Sequence, residues 1–477
     1  MKKLFPLLLL LSACNFAPQY SRPELDDMPE GWRTLNDDGS TLCNIRWWES
    51  LGDPILNNLI ETALENNKDL QVAIWRVKEY WGQYEIVRSA LFPQINFSGQ
   101  AFKERLPLNA NFTHFLPGIN PIIQNYQGLF NLSYEFDFWG KIRNQTFAAY
   151  SQYIAQIENR KTVVMSLVAS VARGYIYLRQ LDLEIKISRE TLESRIESLR
   201  IARARFEGGL TSEIEVAQAA SAYEEAVAAV KELERQIPQQ ENLLSVLLGQ
   251  SPKDIMRGKP VNEFDLPAEV PVGLPSDLLT RRPDILAAEN RLIAANANIG
   301  VARAAFFPQI NLNAFYGRDS FLLSQFFNKG SKTWEIGGNL LQQIFTGGAL
   351  FGQLDVSKAQ QKETLFQYEQ TILTALREVN DALVGYEKSQ EIFATYEADV
   401  IALQEYLRLS WLRYYEGQTQ YLTVLDAERT LFSAQILLAQ SQADQFLTLV
   451  DLYKALGGGW VLDADDCLTP HPRDKGT

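Results

Sequence analysis

The sequence predicts a mainly α-helical chain with a transmembrane β part, built as a tandem duplication. Three observations carry this. First, residues 69–97 recur as residues 284–312 at a constant shift of 215, with ten of 29 positions identical. Asp69, Ala73, Arg76, Arg88 and Ala90 match Asp284, Ala288, Arg291, Arg303 and Ala305. The run Phe92-Pro93-Gln94-Ile95-Asn96 matches Phe307-Pro308-Gln309-Ile310-Asn311. Second, Arg205, Gly209, Thr211 and Val216 recur as Arg413, Gly417, Thr419 and Val424 at a shift of 208. Two echoes in one order, at nearly one shift, mean a duplicated module. The Pro and Asn of the five-residue run are not required by helix periodicity, so the first echo is not chance amphipathicity. Third, each copy reads as helix, strand pair, very long helix, sharp turn and long helix.

Taken in order, residues 1–13 read as a lipoprotein signal peptide. Met1-Lys2-Lys3 is cationic, and an apolar core from Leu4 to Leu11 is too short for a finished membrane helix. Leu11-Ser12-Ala13-Cys14 resembles the bacterial lipoprotein cleavage box, which implies lipidation of Cys14. No Asp follows the cysteine, since Asn15 does, so sorting to the outer membrane is expected. Export would leave Cys43 and Cys467 in an oxidising compartment, where they are a possible disulfide. Residues 14–53 read as an extended arm, and residues 54–250 as the first repeat.

Within that repeat, the helical pattern from Pro54 ends at Pro93. A strand is expected at about 92–106, then a loop holding Pro107, Pro117, Gly118 and Pro121. A second strand at about 126–138 has Phe130, Leu132, Tyr134, Phe136 and Phe138 on one face. Asn131, Ser133, Glu135 and Asp137 lie on the other, so this strand is apolar on one side and wet on the other. Long helices follow at about 141–206 and 211–248, with Pro238 expected to kink or break the second. Residues 251–275 hold five prolines and read as a linker or equatorial segment. The second repeat, 276–456, returns strands at about 307–319 and 333–345 and helices at about 349–416 and 419–456. Residues 457–477 are expected to form a flexible tail.

Four strands cannot close a barrel, and an open sheet edge in lipid leaves backbone groups unsatisfied. Single-chain barrels begin at about eight strands. The transmembrane reading therefore requires several chains: two would give eight strands, three would give twelve. A lumen passing more than ions favours twelve. Helices of more than 60 residues run on the order of 100 Å and suit a wall rather than a compact core.

Composition narrows the chemistry. Net charge is −13, from 58 acidic and 45 basic residues, which argues against nucleic acid as partner. The only histidines are His114 and His471, and no Cys/His cluster has zinc spacing. No phosphate-cradling Gly-rich motif and no nucleophile–base constellation occurs. No enzyme activity, cofactor or metal site is expected.

The chain resembles the TolC-like outer-membrane factors of tripartite efflux systems, in the lipoprotein (NodT/OprM-like) branch that works with resistance-nodulation-division pumps. The carriers are the run from Leu274 through Arg281-Arg282-Pro283-Asp284-Ile285, then Ala294-Ala295-Asn296-Ala297 and Ala304-Ala305-Phe306-Phe307-Pro308. Gly209-Leu210-Thr211-Ser212-Glu213-Ile214-Glu215-Val216 and Tyr421-Leu422-Thr423-Val424-Leu425-Asp426-Ala427 complete them. The resemblance implies a homotrimer, a twelve-stranded outer-membrane β-barrel, and a long helical periplasmic barrel met by a periplasmic adaptor and an inner-membrane pump. It places periplasmic tip turns at Gly208, Gly209 and Gly417. It makes Asp426 a carboxylate lining the closed tip, Leu422 an apolar closing residue, and Tyr414 and Glu215 inter-helix contacts. Thr419 stands where some members carry an arginine, and Thr423 where some carry a second aspartate, so a lock here leans on Leu422 and Tyr414. The expected function is a passive exit duct, with few Met and His favouring small organic cargo over metal ions. The alternative is a structural or adhesive lipoprotein with a periplasmic coiled coil and no pore.

Overall fold

The computed structural model describes residues 15–23, 28–29, 31–32, 46–107, 121–267, 270 and 273–458. Cys14, Cys43 and Cys467 lie outside the described residues, as do the signal peptide and the end of the tail. Helices α1 (Pro54–Asn66) and α2 (Lys68–Ser89) lead to strands β1 (Gln94–Arg105) and β2 (Ile122–Phe136). Helices α3 (Lys141–Glu207) and α4 (Glu213–Leu247) complete the first copy. A single helical turn (Leu278–Arg281) opens the second, followed by α5 (Pro283–Ala304), β3 (Gln309–Ser320), β4 (Lys332–Leu341), α6 (Ala349–Tyr415) and α7 (Tyr421–Ala455). The duplication is metrical: α3 and α6 each have 67 residues, and α4 and α7 each have 35.

Two compact units emerge, each drawing on both copies. The first comprises Met1–Glu24, Val77–Gln156 and Ala288–Tyr368. It holds one antiparallel sheet in the order β1-β2-β3-β4. Pairing runs from Gln94↔Ser133 to Arg105↔Ile122, so β2 starts four residues before the expected 126, and it ends at Phe136 rather than 138. β1 is exposed along its whole length, because among the described residues no layer covers either face. The amino-terminal segment is strapped down in the same unit. Phe16 stacks on Phe307 at 4.5 Å, and Arg303 and Asn296 donate to the carbonyls of Phe16 and Pro18. Arg22 grips Glu289 with two bonds of 2.7 Å. Gly300 permits the crossing, since a Cβ there would lie 2.8 Å from Ala17.

The second unit comprises Leu25–Arg76, Ile157–Ala287 and Glu369–Thr477 and contains the larger core. Along α4 before Pro238 the buried residues are Ala219, Ala222, Ala226, Val230 and Leu233, spaced three and four apart as in coiled coils. Small side chains there let helices approach closely. Asp53 is fully buried yet satisfied, accepting from the Ile55 amide at 2.8 Å and the Tyr175 hydroxyl at 2.9 Å. Arg257 bonds Asp182 and Glu241, tying the Pro-rich segment to α3 and α4. Pro238 does not break α4, which runs continuously through it. The residue is exposed, so water can serve the Glu234 carbonyl that loses its helical donor.

Candidate functional site: the two helix turns

Each long helix pair turns through the same local device. After α3, Gly209 has φ 71°, and the Leu210 amide donates to the Arg205 carbonyl at 2.8 Å. After α6, Gly417 has φ 74°, and the Gln418 amide donates to the Arg413 carbonyl at 2.8 Å. Both are glycine-terminated Schellman caps, which need a left-handed residue where a side chain would be strained. Gly208 precedes the first and has an ordinary φ.

The segments beyond the turns pack against one another. Tyr414 and Tyr421 join Leu199, Ala202, Ala219, Ala222, Val424 and Leu425 in one buried cluster. Tyr414 is only 3% exposed. Its hydroxyl donates to Glu215, whose other carboxylate oxygen accepts from Thr211 at 2.5 Å. The Arg205 guanidinium lies 4.7 Å from the centre of the Tyr414 ring. Burial, then the Glu215 carboxylate, push the Tyr414 hydroxyl well above the ordinary tyrosine range.

The remaining predicted residues line the start of α7. Asp426 is exposed and accepts from the Tyr406 hydroxyl at 3.3 Å. Leu422, one turn earlier, is 54% exposed. Both line an open groove of about 590 Å³ with Asp399, Leu403 and Arg429. Thr419 and Thr423 pair through their hydroxyls at 2.9 Å. Tyr414 and Glu215 thus meet within one chain, whereas Leu422 stays more than half exposed there.

Over residues 59–250 and 274–458 the sequence matches the family pattern described as outer membrane efflux protein. The chain belongs to that family. The antibiotic efflux pump outer membrane protein ArpC of Pseudomonas putida is 39% identical over 460 residues, covering 94% of each chain. The solvent efflux pump outer membrane protein SrpC of the same species is 37% identical over 461 residues, covering 95% of this chain and 97% of that one. Among solved structures, the Campylobacter jejuni CmeC outer membrane channel aligns with TM-score 0.86 and 26% identity, covering 94% and 95% of the two chains. The open state of the Neisseria gonorrhoeae MtrE outer membrane channel aligns at 0.82 and 32%, covering 94% and 99%.

Sequence reasoning did not find the buried ion pair of this family member. Arg195 on α3 bonds Glu428 on α7, and both side chains are 4% exposed. Ser198 also donates to Glu428, at 3.3 Å. Burial pulls the Arg195 guanidinium below its ordinary value, with Tyr421 and Glu225 opposing. The only sequence signal was a carboxylate at a core-facing position of α7.

Proposed function

We propose that this outer-membrane efflux protein works as a passive homotrimeric exit duct, closed at its Gly209 and Gly417 turns and opened when a periplasmic adaptor engages them. An inner-membrane resistance-nodulation-division pump supplies the energy, and Cys14 carries the lipid anchor. The observation that carries the reading is the four-stranded sheet, apolar on one face and polar on the other, with the outer sides of β1 and β4 both unpaired among the described residues. Three copies joined edge to edge give twelve strands and leave no open edge in lipid. The polar faces then line water.

At the turns, the Tyr414–Glu215 bond and the Arg195–Glu428 pair hold each protomer's helices together. Leu422 and Asp426, exposed in one chain, are left for the axis. Three Asp426 carboxylates around it form an acidic ring that favours cations, and three Leu422 side chains form an apolar constriction. Relatives named for antibiotics and solvents support small organic cargo.

Single-channel recording in planar bilayers tests this. Wild type should give small, cation-selective currents. Asp426→Ala should weaken the selectivity, and Leu422→Ser should enlarge the current. Silence from all three folded trimers would instead support the structural lipoprotein without a pore.

A further inference from the structure

Cross-strand register arranges the apolar face of the sheet in lateral rows. Ile95, Leu132, Ala314 and Ile336 form one row; Phe97, Phe130, Tyr316 and Trp334 form the next, nearer the hairpin ends. The row beyond holds Gly99, Gly128, Arg318 and Lys332. Two cations therefore stand directly opposite each other above an aromatic band. Side chains so paired are about 5 Å apart at Cβ, and like charges there repel. Among the described residues, neither cation forms an ion pair with a carboxylate.

Arg318 is fixed in place. Its Nη1 donates to the carbonyls of Phe326 at 3.2 Å and Asn328 at 2.8 Å, and its guanidinium lies 5.8 Å from the Phe327 ring centre. Both bonds use one nitrogen, so neither occupies the Nε–Nη2 edge, a fork that matches a phosphate. Lys332 and Lys329 are exposed. The connecting loop is apolar and outward: Phe321, Leu323 and Phe327 are 76%, 61% and 77% exposed.

We propose that Arg318 and Lys332, with Lys329 beside them, bind the phosphate of a phosphorylated lipid whose acyl chains descend across the Phe97–Phe130–Tyr316–Trp334 row. The assignment rests on the barrel reading above. An anion between Arg318 and Lys332 removes their repulsion, and the aromatic row below them suits hydrocarbon. A free phosphate would account for the cations but not for the exposed apolar loop. The hairpin ends are the strand ends not joined to helices, so the leaflet concerned is the outer one.

Lys332 is the position to change, because Arg318 also holds the loop. Wild-type, Lys332→Glu and Lys332→Arg trimers are reconstituted in zwitterionic vesicles doped with a bis-phosphorylated glycolipid or its dephosphorylated form. Lipid retained after detergent extraction is counted by native mass spectrometry, and currents are recorded from the same vesicles. Wild type and Lys332→Arg should retain the phosphorylated form about tenfold over the other, one decade of affinity. Lys332→Glu should bring the two to parity with currents unchanged, and excess inorganic phosphate should not displace the lipid. Equal retention by wild type, or a ratio unaffected by Lys332→Glu, overturns the site while currents persist. Displacement by inorganic phosphate alone overturns the lipid assignment. Failure of wild type to insert and conduct overturns the duct reading, and this site with it.

Discussion

Tyr414 and Arg195 show what single residues do at the turns. A hydrogen bond to a charged acceptor contributes about 1.5–3 kcal/mol, so the Tyr414–Glu215 contact is a substantial tie between α6 and α4. The hydroxyl is raised in the folded state from an ordinary value of 10.0. Its stabilising effect is therefore complete below that pH and is lost as pH climbs through the higher folded value. Tyr414→Phe should be less stable than wild type at neutral pH, yet lose stability less steeply above pH 10, as read by denaturant unfolding at fixed pH steps. Parallel alkaline slopes in the two proteins would show that Tyr414 titrates as it does in the unfolded chain. The Arg195–Glu428 pair obeys a harsher rule: removing one partner strands a buried charge, at about 3–5 kcal/mol. Glu215 was reachable from sequence because it sits in a recognisable motif, and Tyr414 because the family resemblance places an inter-helix contact there. Arg195 and Glu428 were not, because their partnership joins residues 233 apart on separate helices and exists only once those helices pack. Leu422, expected as a closing residue, stays 54% exposed in the single chain.

At the level of elements, the sequence was more legible. Gly209 and Gly417 mark the helix ends because only glycine adopts a left-handed cap without strain, and the two echoes repeat the whole cap. The alternation of Phe130 through Phe136 named both the strand and its wet face. The continuity of α4 through Pro238 was not legible, since solvation of one freed carbonyl depends on which way that helix face points. A left-handed glycine of the second turn and an ordinary one of the first also separate cleanly. Gly417→Val should weaken its turn by about 1–2 kcal/mol or more, the cost of a left-handed side chain. Gly208→Ala should be nearly neutral, since its φ is ordinary and its new Cβ would be 3.4 Å from the nearest atom. Hydrogen exchange at the amides of the two turns reads both. Equal protection of Gly417→Val and wild type would mean the cap is not what holds the turn.

For the whole molecule, the strand count requires more than one chain, and this is legible in the sequence alone. The number three came from the family resemblance and from the width a lumen needs, not from the strands. Native mass spectrometry in detergent should find three 54.1 kDa chains, less the signal peptide. A stable single-chain species carrying an intact sheet would sink the closure argument. That sheet has a further consequence for how the protein is made. Before assembly, every exported chain carries two adhesive β rims that accept any extended peptide, including a wrong one. Productive encounter needs two more copies, so its rate falls steeply with dilution, whereas escort by a periplasmic chaperone or capture by a protease does not. The yield of assembled trimers should therefore fall more than in proportion to the supply of chains.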